Sequence, residues 1–201
     1  LSSLGNVLCA ESKLEEAESV QREALAMQKK LTGDEDAEVA TTLNNLALVL
    51  FDQRKLTEAE TTFREALALH RKLRGNEHKN VTATLNNLAL VLEDLGKPAE
   101  AEAAYREALA LDRKMFSGDH PSVATNLRNL ASVLNTQGKR EEAEATYREA
   151  LAMMRKLYPD GHPNTGAVLT GLGLILSNQG RHGDAEPLLR EALDMARKVG
   201  N

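Results

Sequence analysis

The stretch LNNLALVL, Leu43 to Leu50, returns unchanged from Leu85 to Leu92. A related octet, LRNLASVL, runs from Leu127 to Leu134, another, LTGLGLIL, from Leu169 to Leu176, and the chain opens on LSSLGNVL. Successive copies lie 42 residues apart, inside the range that marks a stacked array of small supersecondary units. Leucine holds the first, fourth and eighth letters of every copy. The second and third letters read NN, NN, RN, TG and SS, so part of the octet serves a shared purpose and part is free to specialise.

Around the octet the second unit carries Val39, Leu43, Leu46, Ala47 and Leu50 at helical spacing, which predicts a helix A over about residues 36–52. After a polar break at Arg54 and Lys55, the residues Leu56, Ala59, Phe63, Ala66, Leu67 and Leu73 trace a second helix, B, that stops near Gly75. Gly33, Gly75, Gly118 and Gly161 fall between units, where a residue tolerant of positive φ ends a helix. Pro121 and Pro163 stand where the next helix A begins, and a missing N–H costs little there. The expected fold class is therefore all-α, a right-handed α-α superhelix or solenoid of antiparallel helix pairs. Its units are a truncated 1–33, then 34–75, 76–117, 118–159 and 160–201, a single array over 1–201. Because the chain starts at the equivalent of Leu43, midway through a helix A, it reads as a fragment of a longer protein.

Leu43, Leu46, Ala47, Leu50, Ala59, Phe63 and Ala66 resemble, in spacing and type, the signature of the tetratricopeptide repeat (TPR). The third unit repeats it with Leu85, Leu88, Ala89, Leu92, Ala101, Tyr105 and Ala108. The fourth uses Leu127, Leu130, Ala131, Leu134, Ala143, Tyr147 and Ala150, and the fifth Leu169, Leu172, Gly173, Leu176, Ala185, Leu189 and Ala192. The first keeps Leu1, Leu4, Gly5, Leu8, Ala17 and Ala24, and departs at Gln21. With its long unit, LNNLA in helix A and GDHPSVA from Gly118 to Ala124, the chain is similar to the kinesin light chain subgroup of that family.

On the side of helix A opposite the leucines lie Thr41, Asn44, Asn45, Leu48, Phe51 and Asp52. In a stacked array this row lines the concave wall. Its counterparts are Asn86, Asn87 and Leu90 in the third unit and Arg128, Asn129 and Ser132 in the fourth. An asparagine offers both a donor and an acceptor to the main chain of an extended peptide, with Leu48 and Leu90 as apolar contacts between them. The resemblance implies that Asn44, Asn45, Asn86, Asn87 and Asn129 hold a cargo peptide, as matching asparagines do in kinesin light chains. The other reading keeps them as hydrogen bonds between neighbouring helices that fix the pitch. Arg128 suits an acidic side chain or a terminal carboxylate of the ligand; the alternative pairs it with Glu93 or Asp94.

Composition narrows the remaining classes. A formal net charge of -5 gives no field for a polyanion, so nucleic acid is not an expected partner. There is no apolar run of membrane-spanning length. Cys9 is the only cysteine, which excludes an internal disulfide and fits a reducing, cytoplasmic setting. His78, His120 and His162 recur at the repeat period, but stacked units place equal positions on the order of 20 Å apart, too far to share an ion; a role at the helix-start turn is expected instead. Glu60 and Arg64, with their counterparts in every unit, read as i, i+4 pairs on a solvated helix face. No phosphate loop, zinc helix or nucleophile elbow is present. No cofactor, metal or catalysis is expected. The functional expectation is a scaffold that binds a protein or peptide segment in the concave groove. The alternative is a structural, regulatory or self-associating repeat segment of a larger protein, the latter through uncapped terminal repeats.

Overall fold

A computed structural model describes residues 4, 7, 8, 13–159 and 161–199. Leu1, Gly5 and Cys9, singled out above, lie outside the described residues. Every regular element among the described residues from Lys13 onward is α-helical. Two compact units, Leu1–Leu111 and Asp112–Asn201, make up the chain.

The first unit contains α1 (Leu14–Thr32), α2 (Ala37–Asp52), α3 (Leu56–Arg74), α4 (Lys79–Asp94) and most of α5 (Pro98–Met115). The helix starts are fixed by side chains: Asp36 accepts from the Glu38 N–H at 2.7 Å, and His78 Nδ1 accepts from the Asn80 N–H at 3.1 Å. Each satisfies a donor that the helix itself leaves open. Within the hairpin α2–α3 the chain reverses through Arg54 at φ 63°, where the next hairpin has Gly96 at 71°. Leu43, Leu46, Ala47 and Leu50 of α2 are buried with Ala59, Phe63 and Ala66 of α3, and the same set recurs as Leu85, Leu88, Ala89, Leu92, Ala101, Tyr105 and Ala108. Gln21, which stands where the other hairpins place an aromatic or Leu, is fully buried.

The second unit holds the end of α5 with α6 (Pro121–Thr136), α7 (Arg140–Leu157), α8 (Pro163–Asn178) and α9 (His182–Val199). Pro121 and Pro163 open α6 and α8. His120 and His162 cap these helices, each accepting through Nδ1 from the N–H two residues on, at 3.2 and 3.1 Å. Their rings stack on Phe116 and Tyr158, with centroids 3.5 and 4.3 Å apart. The recurrent histidines thus serve the helix-start turn. The core repeats the leucine and alanine pattern with Leu127, Leu130, Ala131, Leu134, Ala143 and Ala150, then Leu169, Leu172, Leu176 and Ala185. Gly173 takes the alanine position because Leu189 packs against it: a Cβ there would lie 2.7 Å from the Leu189 side chain.

The charged rows differ from their reading in sequence. Glu60, expected on a solvated face, is only 5% exposed, and Glu144 only 7%. The turn of the next hairpin covers each of them. Lys97 Nζ donates to both carboxylate oxygens of Glu60 at 2.9 Å, and Arg181 Nη1 donates to Glu144 at 2.7 Å, beside the expected Arg64 and Arg148. The physical reason is that a helix face exposed in one isolated hairpin becomes a junction once hairpins stack. Burial pushes Glu60 and Glu144 up, but the cations and hydrogen bonds outweigh it, so both carboxyls end below their usual range.

Candidate functional site

In the first unit the helices A, α2 and α4, meet directly through short side chains. Thr84 Oγ1 donates to Asn44 Oδ1 at 3.1 Å. The helices B are tied by long ones, Arg22 to Glu58, Lys29 to Glu65, Arg64 to Glu100 and Arg71 to Glu107, at 2.6–3.5 Å. A helix-A face of amides and small groups thus stands apart from a helix-B face of ion pairs.

On the helix-A face Asn44, Asn45, Leu48, Asn86 and Asn87 are half-buried, and Leu90 is 42% exposed. They do not form one equivalent set. Asn44 is engaged by Thr84, which is the bond between neighbouring helices that sequence reasoning offered as the alternative to ligand reading. Asn45 and Asn87 have no side-chain hydrogen-bond partner among the described residues, and they occupy the same position one repeat apart. Their amides are already desolvated in part and held on rigid helices. At the end of α4, Tyr105 donates to Glu93 Oε1 at 2.8 Å. Burial pushes the Glu93 carboxyl above its usual range, against the pull of that hydrogen bond.

Between α2, α3 and α4 the same face opens into a cavity of about 120 Å³ lined by Thr41, Asn44, His70, Asn80, Ala83 and Thr84. In the sequence His70 has no paired residue at metal-ligand spacing. Its helix-B position gave no sign that the ring reaches this cavity. The usable signal is a polar residue at a position where helix B faces the following helix A: Gln28, His70 and Asp112 stand one period apart, and Met154 follows them as the apolar member of the series.

In the second unit Arg128 Nη2 donates to Asn129 Oδ1 at 2.9 Å, with both side chains half-buried, and Ser132 is exposed on the next turn. Arg128 Nε is enclosed without a partner. The amide row ends at Gly171, the counterpart of Asn129. The Tyr147 ring fills that space, lying 2.5–2.8 Å from where a Cβ would be. Gly171 and Gly173 thus each make room for a side chain of a neighbouring helix, Tyr147 and Leu189 respectively. Beside them, Ser177, His182, Ala185, Leu189 and Leu193 line a shallow depression of about 490 Å³ on the last hairpin, with Leu193 51% exposed.

Among the described residues no three His, Cys, Asp or Glu side chains converge as a metal site, and no helix is long and apolar enough to cross a membrane.

The tetratricopeptide repeat model matches in four overlapping windows, residues 1–72, 38–114, 80–156 and 122–198, and the chain belongs to this family of helical-repeat interaction scaffolds. No curated protein matches the sequence at a significant level. Solved structures share the fold. BtubC (BKLC) from P. vanneervenii superposes with a TM-score of 0.88 at 23% identity, over 98% of this chain and 79% of that one. The nearly identical TPR-like repeats of a protein from Podosopora anserina assigned as a kinesin light chain give 0.84 at 21% identity, over 98% and 94%. The Rap conjugation gene regulator of plasmid pLS20, solved in complex with the Phr* peptide, gives 0.73 at 18% identity, over 98% and 52%.

Proposed function

We propose that the chain is a cytoplasmic, non-enzymatic scaffold that binds an extended peptide segment of another protein on the helix-A face of its first unit. Asn45 and Asn87 carry this reading: two half-buried amides at one register, a repeat apart, without partners among the described residues. Each primary amide has donors and an acceptor to offer a peptide backbone. Leu48 and the exposed Leu90 supply apolar contact one turn further along each helix. Taken by itself, the second unit offers the Asn129 amide and the Arg128 guanidinium, the latter suited to a ligand carboxylate. The solved Rap relative bound to its Phr* peptide supports peptide capture by this fold.

The test is binding to a random-peptide phage library by the parent chain and by Asn45→Leu plus Asn87→Leu, with helicity followed by circular dichroism. Loss of peptide capture at unchanged helicity is the expected result. Equal capture by both proteins would remove the two asparagines from the reading.

A second reading is self-association through the last hairpin. It rests on the exposed Leu193 and the apolar depression around Leu189. Light scattering over a concentration series discriminates, because a monomer at every concentration speaks against it.

A further inference from the structure

His70 and the position series to which it belongs carry a more specific statement. In the second unit the counterpart of His70, Asp112, is 1% exposed and receives a hydrogen bond from Asn126 Nδ2 at 2.8 Å. One repeat later the pair is Met154 and Val168, both buried and needing no such bond. In the first unit the partner position is Thr84, yet its hydroxyl turns away and donates to Asn44. His70 is 2% exposed, and its Nδ1 is enclosed without a partner. Buried polar atoms in folded proteins are almost always satisfied, so an exception beside a cavity points to an occupant.

The cavity next to the ring defines that occupant. Its lining residues, Thr41, Asn44, His70, Asn80, Ala83 and Thr84, carry neither a carboxylate nor an ammonium or guanidinium group. A cationic side chain would meet no carboxylate in this lining, and the burial that disfavours the charged form of His70 would desolvate an anionic one as well. A purely apolar one would leave His70 Nδ1 as unsatisfied as before. A volume of about 120 Å³ suits a small side chain. What fits is a small, uncharged side chain that hydrogen-bonds. Asn44 remains half-buried beside it, its oxygen already engaged by Thr84 and its amide N–H groups able to donate.

We infer that the His70 cavity is the specificity pocket of the peptide-binding face and accepts one hydroxyl- or amide-bearing side chain, Ser, Thr or Asn, of the bound segment. The inference rests on the proposed peptide binding: Asn45 and Asn87 hold the backbone, and His70 with Asn44 reads one residue.

Selection from a random-peptide phage library by three proteins tests it: the parent chain, His70→Met and Asn87→Leu. Methionine is chosen because the fold already buries Met154 at the equivalent position. The parent is expected to enrich Ser, Thr or Asn at one fixed peptide position. His70→Met should keep peptide capture but lose preference there by about tenfold or more, the effect of one unsatisfied buried hydrogen bond. Asn87→Leu should weaken capture at all positions alike. Thermal melts of the free proteins check that each variant folds. Capture that depends on Asn87 with selection unchanged in His70→Met overturns the pocket alone. Absence of any capture by the folded parent overturns both the pocket and the peptide-binding reading.

Discussion

Lys97 reaches back 37 residues to close over Glu60, donating to both carboxylate oxygens at 2.9 Å from the turn of the following hairpin. The carboxylate is buried and Arg64 holds its other side, so this contact joins two hairpins through a group that neither could shelter alone. Lys97→Ala should leave an under-satisfied buried anion and destabilise the chain by about 1–3 kcal/mol, measured by urea denaturation. Glu60→Gln in the same background should recover part of the loss, since an amide carries no charge to strand. Both Glu60 and Glu144 have folded-state pKa values below the unfolded one. Their contribution is present above about pH 4.3 and is lost as pH falls through the depressed folded values.

A separate acid effect is expected at higher pH. Burial, with the nearby cations, holds His70 and His78 below the usual histidine range. The unfolded chain therefore binds more protons between those values and about pH 6.5, so stability falls as pH drops below 6.5, by at most about 1.4 kcal/mol per pH unit for each group. Protonation of His78 also removes the Nδ1 lone pair that caps α4. Asn caps without titrating. The variant His78→Asn should thus melt at a temperature less sensitive to pH between 7 and 5 than the parent does.

Arg54 holds a left-handed conformation, φ 63°, that three other hairpins assign to Gly96, Gly138 and Gly180. The arginine pairs with Asp94 at 2.5 Å, but both side chains are well exposed, and such pairs contribute roughly 0–1 kcal/mol. Relief of left-handed strain amounts to about 1–2 kcal/mol. Arg54→Gly should therefore raise stability by up to about 1 kcal/mol, seen as a shift in the urea midpoint. A lowered midpoint would mean that the ion pair outweighs the backbone term.

Gly171 should tolerate no side chain. An added Cβ would lie 2.5 Å from the Tyr147 ring, and Tyr147 is itself 6% exposed with little room to move. Gly171→Ala is expected to destabilise by about 1–3 kcal/mol through overpacking. Tyr147→Leu should relieve the clash, so the double variant should be more stable than the sum of the single effects predicts.

Much of this architecture could be read from residues whose period is the same in every unit. Leu43, Ala47, Phe63 and their counterparts are buried as expected, because a leucine or alanine recurring at helical spacing has one place to go. The histidine caps were legible for the same reason: they recur in front of each helix A. What escaped was set by neighbours distant in sequence. Glu60 looked solvated because Lys97 belongs to the next hairpin. His70 looked idle because its cavity is made by α2 and α4, and only their packing brings Asn44 and Thr84 beside its ring. Asn44 and Asn45 are adjacent letters of equal type, yet one is engaged by Thr84 and the other is not. That distinction depends on a difference of 100° around the helix axis together with the distance to the following helix.

The ties between neighbouring helices B follow one rule of spacing. Lys29 meets Glu65 and Arg71 meets Glu107 in the first unit, while Arg113 meets Glu149 and Arg155 meets Glu191 in the second. Every module thus presents the same socket on its leading side and the same plug on its trailing side. A gene of this kind is able to gain or lose whole modules without inventing a new joint, whereas slippage by a single codon would misalign every plug downstream. Natural variation in this chain's length is therefore expected to come in multiples of 42 residues.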